Sequence, residues 1–98
     1  MGKVTKIAQA GTLESSDVMV TVAPGEVGSG VKVEVESIVM AQYGAEIKRV
    51  LEATVASQNV TDVYVKAADR GALDCTLKAR LLTALSRAGV EVKEGVLC

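Results

Sequence analysis

The chain has 98 residues, 49% of them hydrophobic and 23% charged, and its net charge is −1. Length and composition exclude a disordered chain and set the expectation of a single domain over residues 1–98. The dispersed charges, with Tyr43 and Tyr64 as the only aromatic residues, exclude the basic stripe and stacking platform of a nucleic-acid binder.

The start of the chain, "MGKVTKIAQAG", carries too short an apolar stretch for a signal peptide, and no apolar run approaches the ~20 residues of a membrane span. Gly2 alone does not make a myristoylation site, because Lys6 stands where that motif has Ser or Thr. A soluble, cytoplasmic protein is expected. The residues "KVTKIAQAGTL" are weakly patterned and suit a first strand.

The next stretch, "GTLESSD" at residues 11–17, joins that strand to an alternating apolar run. Ser and Asp are ordinary turn residues whose side chains bond nearby backbone. The chain has no histidine to activate either serine. Any chemistry on Ser15 or Ser16 therefore requires another protein to supply the activation, as at a modification site on an exposed loop.

Val18, Val20 and Val22 then alternate with Met19 and Thr21, and Val31, Val33 and Val35 alternate with Lys32, Glu34 and Glu36. Period-2 alternation marks strands with one buried and one wet face. The intervening "PGEVGSG" reads as the turn of an antiparallel hairpin. Its "GSG" is too isolated to be a phosphate-binding loop.

From Ser37, a candidate N-cap, the period changes. Met40, Tyr43, Ile47, Leu51 and Val55 form a helical stripe, Glu46 and Arg49 are spaced to pair, and Asn59 suits the stop. "VTDVYVKA" is a further strand and "ADRG" its turn. Leu73, Leu77, Leu81, Leu85 and Ala88 define a second helix that Gly89 ends. "VEVKE" at 90–94 suits a short edge strand.

The order β-β-β-α-β-α predicts an α+β fold. It is a two-layer sandwich in which a mostly antiparallel sheet of three to five strands carries two helices on one face. The core has neither Phe nor Trp, so a partner that adds stability is plausible on physical grounds.

An active site is hard to assemble from this chain. Glu14, Asp17, Asp62, Asp69 and Asp74 all fall in loops or at helix starts, where carboxylates serve as caps and dipole partners. Cys75 sits off the leucine stripe and reads as a half-buried structural thiol, and Cys75 and Cys98 are expected to be unbridged. Without histidine or a CxxC pair no zinc site is expected.

Two segments, "GTLESSDVMVTVAP" and "DRGALDCTLKARLLTAL", resemble the acyl carrier protein of citrate lyase, the gamma subunit of that bacterial enzyme. The resemblance spans about residues 8–88. It implies a chain without catalytic residues. It also implies that the serine of "GTLES", Ser15 here, is joined through a phosphodiester to 2'-(5''-phosphoribosyl)-3'-dephospho-CoA, and that Ser16 is only its neighbour.

The resemblance further implies partners. An alpha subunit (transferase) exchanges acetyl for citryl on the arm's thiol, a beta subunit (lyase) splits the citryl thioester, and a prosthetic-group transferase installs the arm. Two alternatives stand beside it: the acyl carrier of malonate decarboxylase, which uses the same kind of arm, and a cofactor-free interaction module. The loop at 24–30 and the tail "VEVKEGVLC" match no family pattern. The helical-bundle fold of common acyl carriers does not fit this strand-rich order.

Overall fold

A computed structural model describes residues 3–37 and 40–92. Its elements are β1 (Ala8–Gly11), β2 (Val18–Pro24), β3 (Val31–Ser37), α1 (Met40–Ser57), β4 (Val63–Asp69) and α2 (Asp74–Arg87). This is the predicted α+β order. The strands form one mixed sheet in the order β1-β2-β4-β3, with β1–β2 and β2–β4 antiparallel and β3–β4 parallel.

The alternation in the strands sets which face is covered. Val18, Val20 and Val22 of β2 and Val63, Val65 and Ala67 of β4 are buried, and the residues between them face outward. Both helices pack on the valine face. Ile47, Val50, Leu51 and Val55 come from α1, and Leu77, Leu81, Ala84 and Leu85 from α2. Burying each large aliphatic side chain contributes about 1.5–3 kcal/mol, which fixes one face of the sheet to the helices. The predicted stripes hold from Ile47 to Val55 and from Leu77 to Ala88. The side chains of Met40 and Tyr43 lie outside the described residues.

The sheet order corrects one expectation. β2 and β3 are not a hairpin, because β4 lies between them and pairs with both. Pro24 and Val31 flank Val63 in one row of the sheet. The connection over 25–30 therefore passes the start of β4, and Asp62 fastens it there. The Asp62 carboxylate accepts N–H bonds from Gly28 at 3.0 Å and Gly30 at 3.1 Å, and the Asp62 carbonyl accepts from Gly25 at 2.6 Å. The glycine-rich stretch thus arches over a strand that arrives later in the chain.

Two smaller readings change. Leu73 does not belong to the buried stripe: it is the N-cap residue of α2 and 75% exposed. Ser37, the candidate N-cap, is the last residue of β3, and its hydroxyl donates to the Asp69 carboxylate at 2.8 Å, while 38 and 39 lie outside the described residues. Residues 90–92 are not in a strand, and 93–94 lie outside the described residues. The apolar alternation there serves burial: Val90 is in the core, and Val92 packs against it.

The helix ends follow their sequence signals. Asn59 adopts a positive φ of 55° just past α1, and its N–H reaches the Ala56 carbonyl. Gly89, at φ 100°, ends α2: its N–H donates to Ser86 and the N–H of Val90 to Leu85, the paired bonds of a Schellman cap. The Glu46–Arg49 ion pair forms on the outer face of α1.

Candidate functional site

The "GTLESSD" stretch becomes the loop over 12–17 between β1 and β2. Four residues, Leu13 to Ser16, are exposed. The Asp17 N–H donates to the Glu14 carbonyl at 3.1 Å and closes a four-residue turn with Ser15 and Ser16 in its middle. Ser16 has a φ of 64°. A positive φ at the third residue alone is the signature of a type II turn, normally met by Gly or Asn.

The loop is fastened just after Ser15, at Ser16 and Asp17. On the sheet side, the Ser16 N–H donates to the Arg70 carbonyl at 2.8 Å, and the Arg70 N–H donates to the Asp17 carbonyl at 2.9 Å. On the helix side, Arg80 of α2 grips the Asp17 carboxylate through Nε at 3.1 Å and Nη2 at 3.0 Å. The same carboxylate accepts from the Thr12 hydroxyl and the Val18 N–H, each at 2.7 Å. The Arg80 hydrogen bond, helped by those from Thr12 and Val18, lowers the Asp17 pKa to about 2. A bidentate guanidinium–carboxylate pair fixes direction as well as charge.

Gly11 makes the approach possible. It pairs with Met19 at a φ of 97°, and a Cβ built on it would lie 1.8 Å from the Val18 carbonyl oxygen. No side chain fits, so β1 enters the turn with its backbone against β2.

The Ser15 side chain, by contrast, makes no hydrogen bond among the described residues, and the residue is exposed. The turn is held by Ser16, Asp17 and Thr12, and the Ser15 hydroxyl stays available to an incoming protein.

The other carboxylates singled out in the sequence do structural work. Asp69, fully buried, accepts from the Ser37 hydroxyl and from the N–H groups of Gly71 at 3.1 Å and Ala72 at 2.9 Å. Asp62 fastens the 25–30 loop, and Asp74 stands in the first turn of α2, where the helix dipole favours an anion. Glu14 lends the turn its carbonyl. These carboxylates are dispersed, and no group of three or more His, Cys, Asp or Glu suited to a metal occurs among the described residues. Cys75 is a free, half-buried thiol lining a cavity of about 580 Å³ between α1 and the start of α2.

Sequence reasoning missed Arg80 and the Arg70 backbone as the loop's anchors. Nothing in the spacing announces Arg80, which is 63 residues from its partner Asp17.

Comparison with known proteins adds what geometry alone cannot. A sequence model of the acyl carrier family described as malonate decarboxylase delta subunit (MdcD) matches residues 5–88. In a solved structure, a Pseudomonas malonate decarboxylase hetero-tetramer in complex with malonate, one chain shares this fold. The TM-score is 0.76 at 20% identity, over 89% of this chain and 88% of that one. The α+β sandwich with an exposed serine turn is thus the scaffold of an acyl carrier protein.

Full-length relatives narrow the class. A protein of Halothermothrix orenii is 44% identical over 94% of this chain and 96% of its own length. One of Streptococcus mutans is 50% identical over 91% and 87%, and one of Lactiplantibacillus plantarum 47% over 83% and 82%. Each is named citrate lyase acyl carrier protein. The chain belongs to the citrate lyase acyl carrier protein family. No helix among the described residues is long and apolar enough to cross a membrane.

Proposed function

We propose that the chain is the acyl carrier subunit of citrate lyase and that Ser15 anchors its covalent arm, 2'-(5''-phosphoribosyl)-3'-dephospho-CoA. When bound, that group supplies the thiol on which acetyl and citryl thioesters are carried while citrate is cleaved to oxaloacetate and acetate. Everything else asked of the chain is placement. One observation carries the reading: the Ser15 residue is exposed and its hydroxyl unbonded among the described residues, at the tip of a turn whose next two residues, Ser16 and Asp17, are fastened to Arg70, just past β4, and to α2.

The residues present suit a phosphodiester at this position. The Asp17 carboxylate, two residues away, is countered by Arg80, so its charge is not presented bare to an anion. The turn also leaves a loading enzyme free access to the hydroxyl. A fixed root with a long arm keeps an acyl group at high effective concentration between two active sites. The partners on this reading are the alpha (transferase) and beta (lyase) subunits of citrate lyase and a prosthetic-group transferase, in the cytoplasm.

The test is the mass of the chain isolated from its native host, followed by fragmentation. The added mass is expected on Ser15. Ser15→Ala is expected to fold and take no arm, and Ser16→Ala to fold and be loaded. Loading of Ser15→Ala would sink the assignment of the residue, and a native chain without added mass would sink the carrier reading itself.

The family description favours a second reading, the carrier of malonate decarboxylase. The names of relatives at 44–50% identity favour the first. Reconstitution decides: the loaded chain restores citrate cleavage to carrier-depleted citrate lyase on the first reading, and malonate decarboxylation to the corresponding depleted enzyme on the second.

A further inference from the structure

Two concavities adjoin the fastening point of the serine loop, and they differ in charge. Among the described residues, the charged groups lining the cavity between α1 and α2 are Glu46, Asp69 and Asp74, with Arg49 paired to Glu46, so that lining offers an anion no unpaired cation. The other concavity, a cleft of about 340 Å³, lies on the open face of the sheet. Its charged groups are Lys66, Arg70 and Glu36, and Leu13, Met19 and Ala68 supply apolar surface.

This cleft is continuous with the loop. Leu13 is two residues before Ser15 and 52% exposed, and Arg70 lends its carbonyl to Ser16. Its cations are available. Lys66 stands in register between Thr21 of β2 and Glu34 of β3, but the Glu34 carboxylate takes the hydroxyl of Tyr64 instead. The Lys66 ammonium has no partner among the described residues. Arg70 donates through Nη1 to the Asp69 carbonyl at 3.0 Å, and its Nη2 approaches the exposed Glu36 carboxylate only at 3.9 Å, so the guanidinium keeps donors for an anion. By contrast Arg80 gives both Nε and Nη2 to Asp17, and neither it nor Arg87 lines the cleft.

Resting on the reading of Ser15 as the anchor, we infer that this cleft seats the root of the arm. Lys66 and Arg70 face its phosphate groups, and Leu13, Met19 and Ala68 meet its nucleoside. Charge complementarity selects the occupant: two cations against one exposed carboxylate, beside an apolar strip, suit a phosphorylated nucleoside tethered a few atoms away. The arm then leaves the loop along the open sheet face rather than toward the helices, which sets the side on which the thiol end reaches its partners.

Backbone amide spectra of the loaded and unloaded full chain test this, with mass mapping on the same samples. Loading is expected to shift Leu13, Met19, Lys66, Ala68 and Arg70 as well as residues 14–17, and raising the ionic strength is expected to weaken those shifts. In a loaded Lys66→Gln, Arg70→Gln double variant the ratio of seated to free arm is expected to fall about fourfold, roughly twofold per exposed contact. The unloaded variant is expected to keep the wild-type spectrum, which separates seating from folding. If the arm maps to Ser15 while its shifts stay within 12–17, the inference fails and the anchor stands. If the arm maps elsewhere, both fall.

Discussion

Arg80 and Asp17 meet side-on, Nε to Oδ1 at 3.1 Å and Nη2 to Oδ2 at 3.0 Å, and join the middle of α2 to the serine loop. Asp17 also binds Thr12 and the Val18 N–H, so one carboxylate organises both ends of the turn.

That arrangement predicts an acid response confined to the loop. An unfolded aspartate titrates near ~3.9, and Asp17 in the fold near about 2. Because the folded value is the lower one, the stabilisation is complete above ~4 and is lost as pH falls through about 2. The protection factors of the Ser16 and Val18 amides, with the intrinsic pH dependence of exchange divided out, are expected to be flat from neutral pH to ~5 and to fall below ~4. Glu46 is also lowered, by Arg49, with the same sign, so global acid stability does not isolate Asp17 and the local amides do. Arg80→Gln is expected to raise exchange at neutral pH and flatten the acid dependence. Identical profiles for variant and wild type would disprove the role given to the pair.

Gly11 and Gly28 separate two reasons for a glycine. Both have positive φ, but only at Gly11 does a Cβ strike backbone, at 1.8 Å from the Val18 oxygen, while at Gly28 it meets nothing within 4 Å. Gly28→Ala is expected to cost about 1 kcal/mol, the strain of the left-handed region. Gly11→Ala is expected to cost about 3 kcal/mol or more, since β1 must move off β2. Thermal melts give the comparison, at roughly 4–8 °C per kcal/mol for a chain of this size. Equal shifts would mean that the close approach carries no weight.

How much of this was legible in the sequence depends on the period of each pattern. The 3.6-residue stripes placed α1 and α2, and period-2 alternation placed β2, β3 and β4 with the buried valines of β2 and β4 and the half-buried ones of β3, because these patterns report a local face. Strand neighbours are another matter. Alternation in Val18–Val22 and Val31–Val35 says which side is covered, not which strand lies alongside, so β4 between β2 and β3 was invisible. The connection over 25–30 held a hint: its six residues exceed the 2–5 of ordinary hairpin loops. Within the candidate site, the exposed turn was legible from "GTLESSD". Its fastening by Arg80 and by the Arg70 carbonyl depends on contacts far apart in sequence, which no local pattern encodes.

Leu81 and Leu73 share the i, i+4 stripe and differ in environment. Leu81 is fully buried, and Leu73 is 75% exposed at the start of α2. Leu81→Ala is expected to cost about 2–5 kcal/mol through lost transfer energy and a residual cavity. Leu73→Ala is expected to stay within about 0.5 kcal/mol of wild type. Urea unfolding with an unchanged slope measures both. A large effect at Leu73 would show that it packs in solution against something not seen among the described residues.

Asp69 links the interior to the serine loop. Its buried carboxylate draws Ser37 of β3 and the N–H groups of Gly71 and Ala72 into one turn, and Arg70, inside that turn, presents the carbonyl that binds Ser16. Asp69→Ala leaves two backbone donors and one hydroxyl without this acceptor in a site closed to water, at about 1–3 kcal/mol for a first orphan group and less for those that can reach solvent. A total loss of about 3 kcal/mol is expected, against about 1 for Ser37→Ala, which leaves the Asp69 carboxylate its two backbone donors. The consequence reaches the surface: with the 69–72 turn loosened, the Ser16 amide loses its partner and exchanges faster in Asp69→Ala but not in Ser37→Ala. If Ser16 protection were unchanged in a folded Asp69→Ala chain, the loop would owe its position to Arg80 alone.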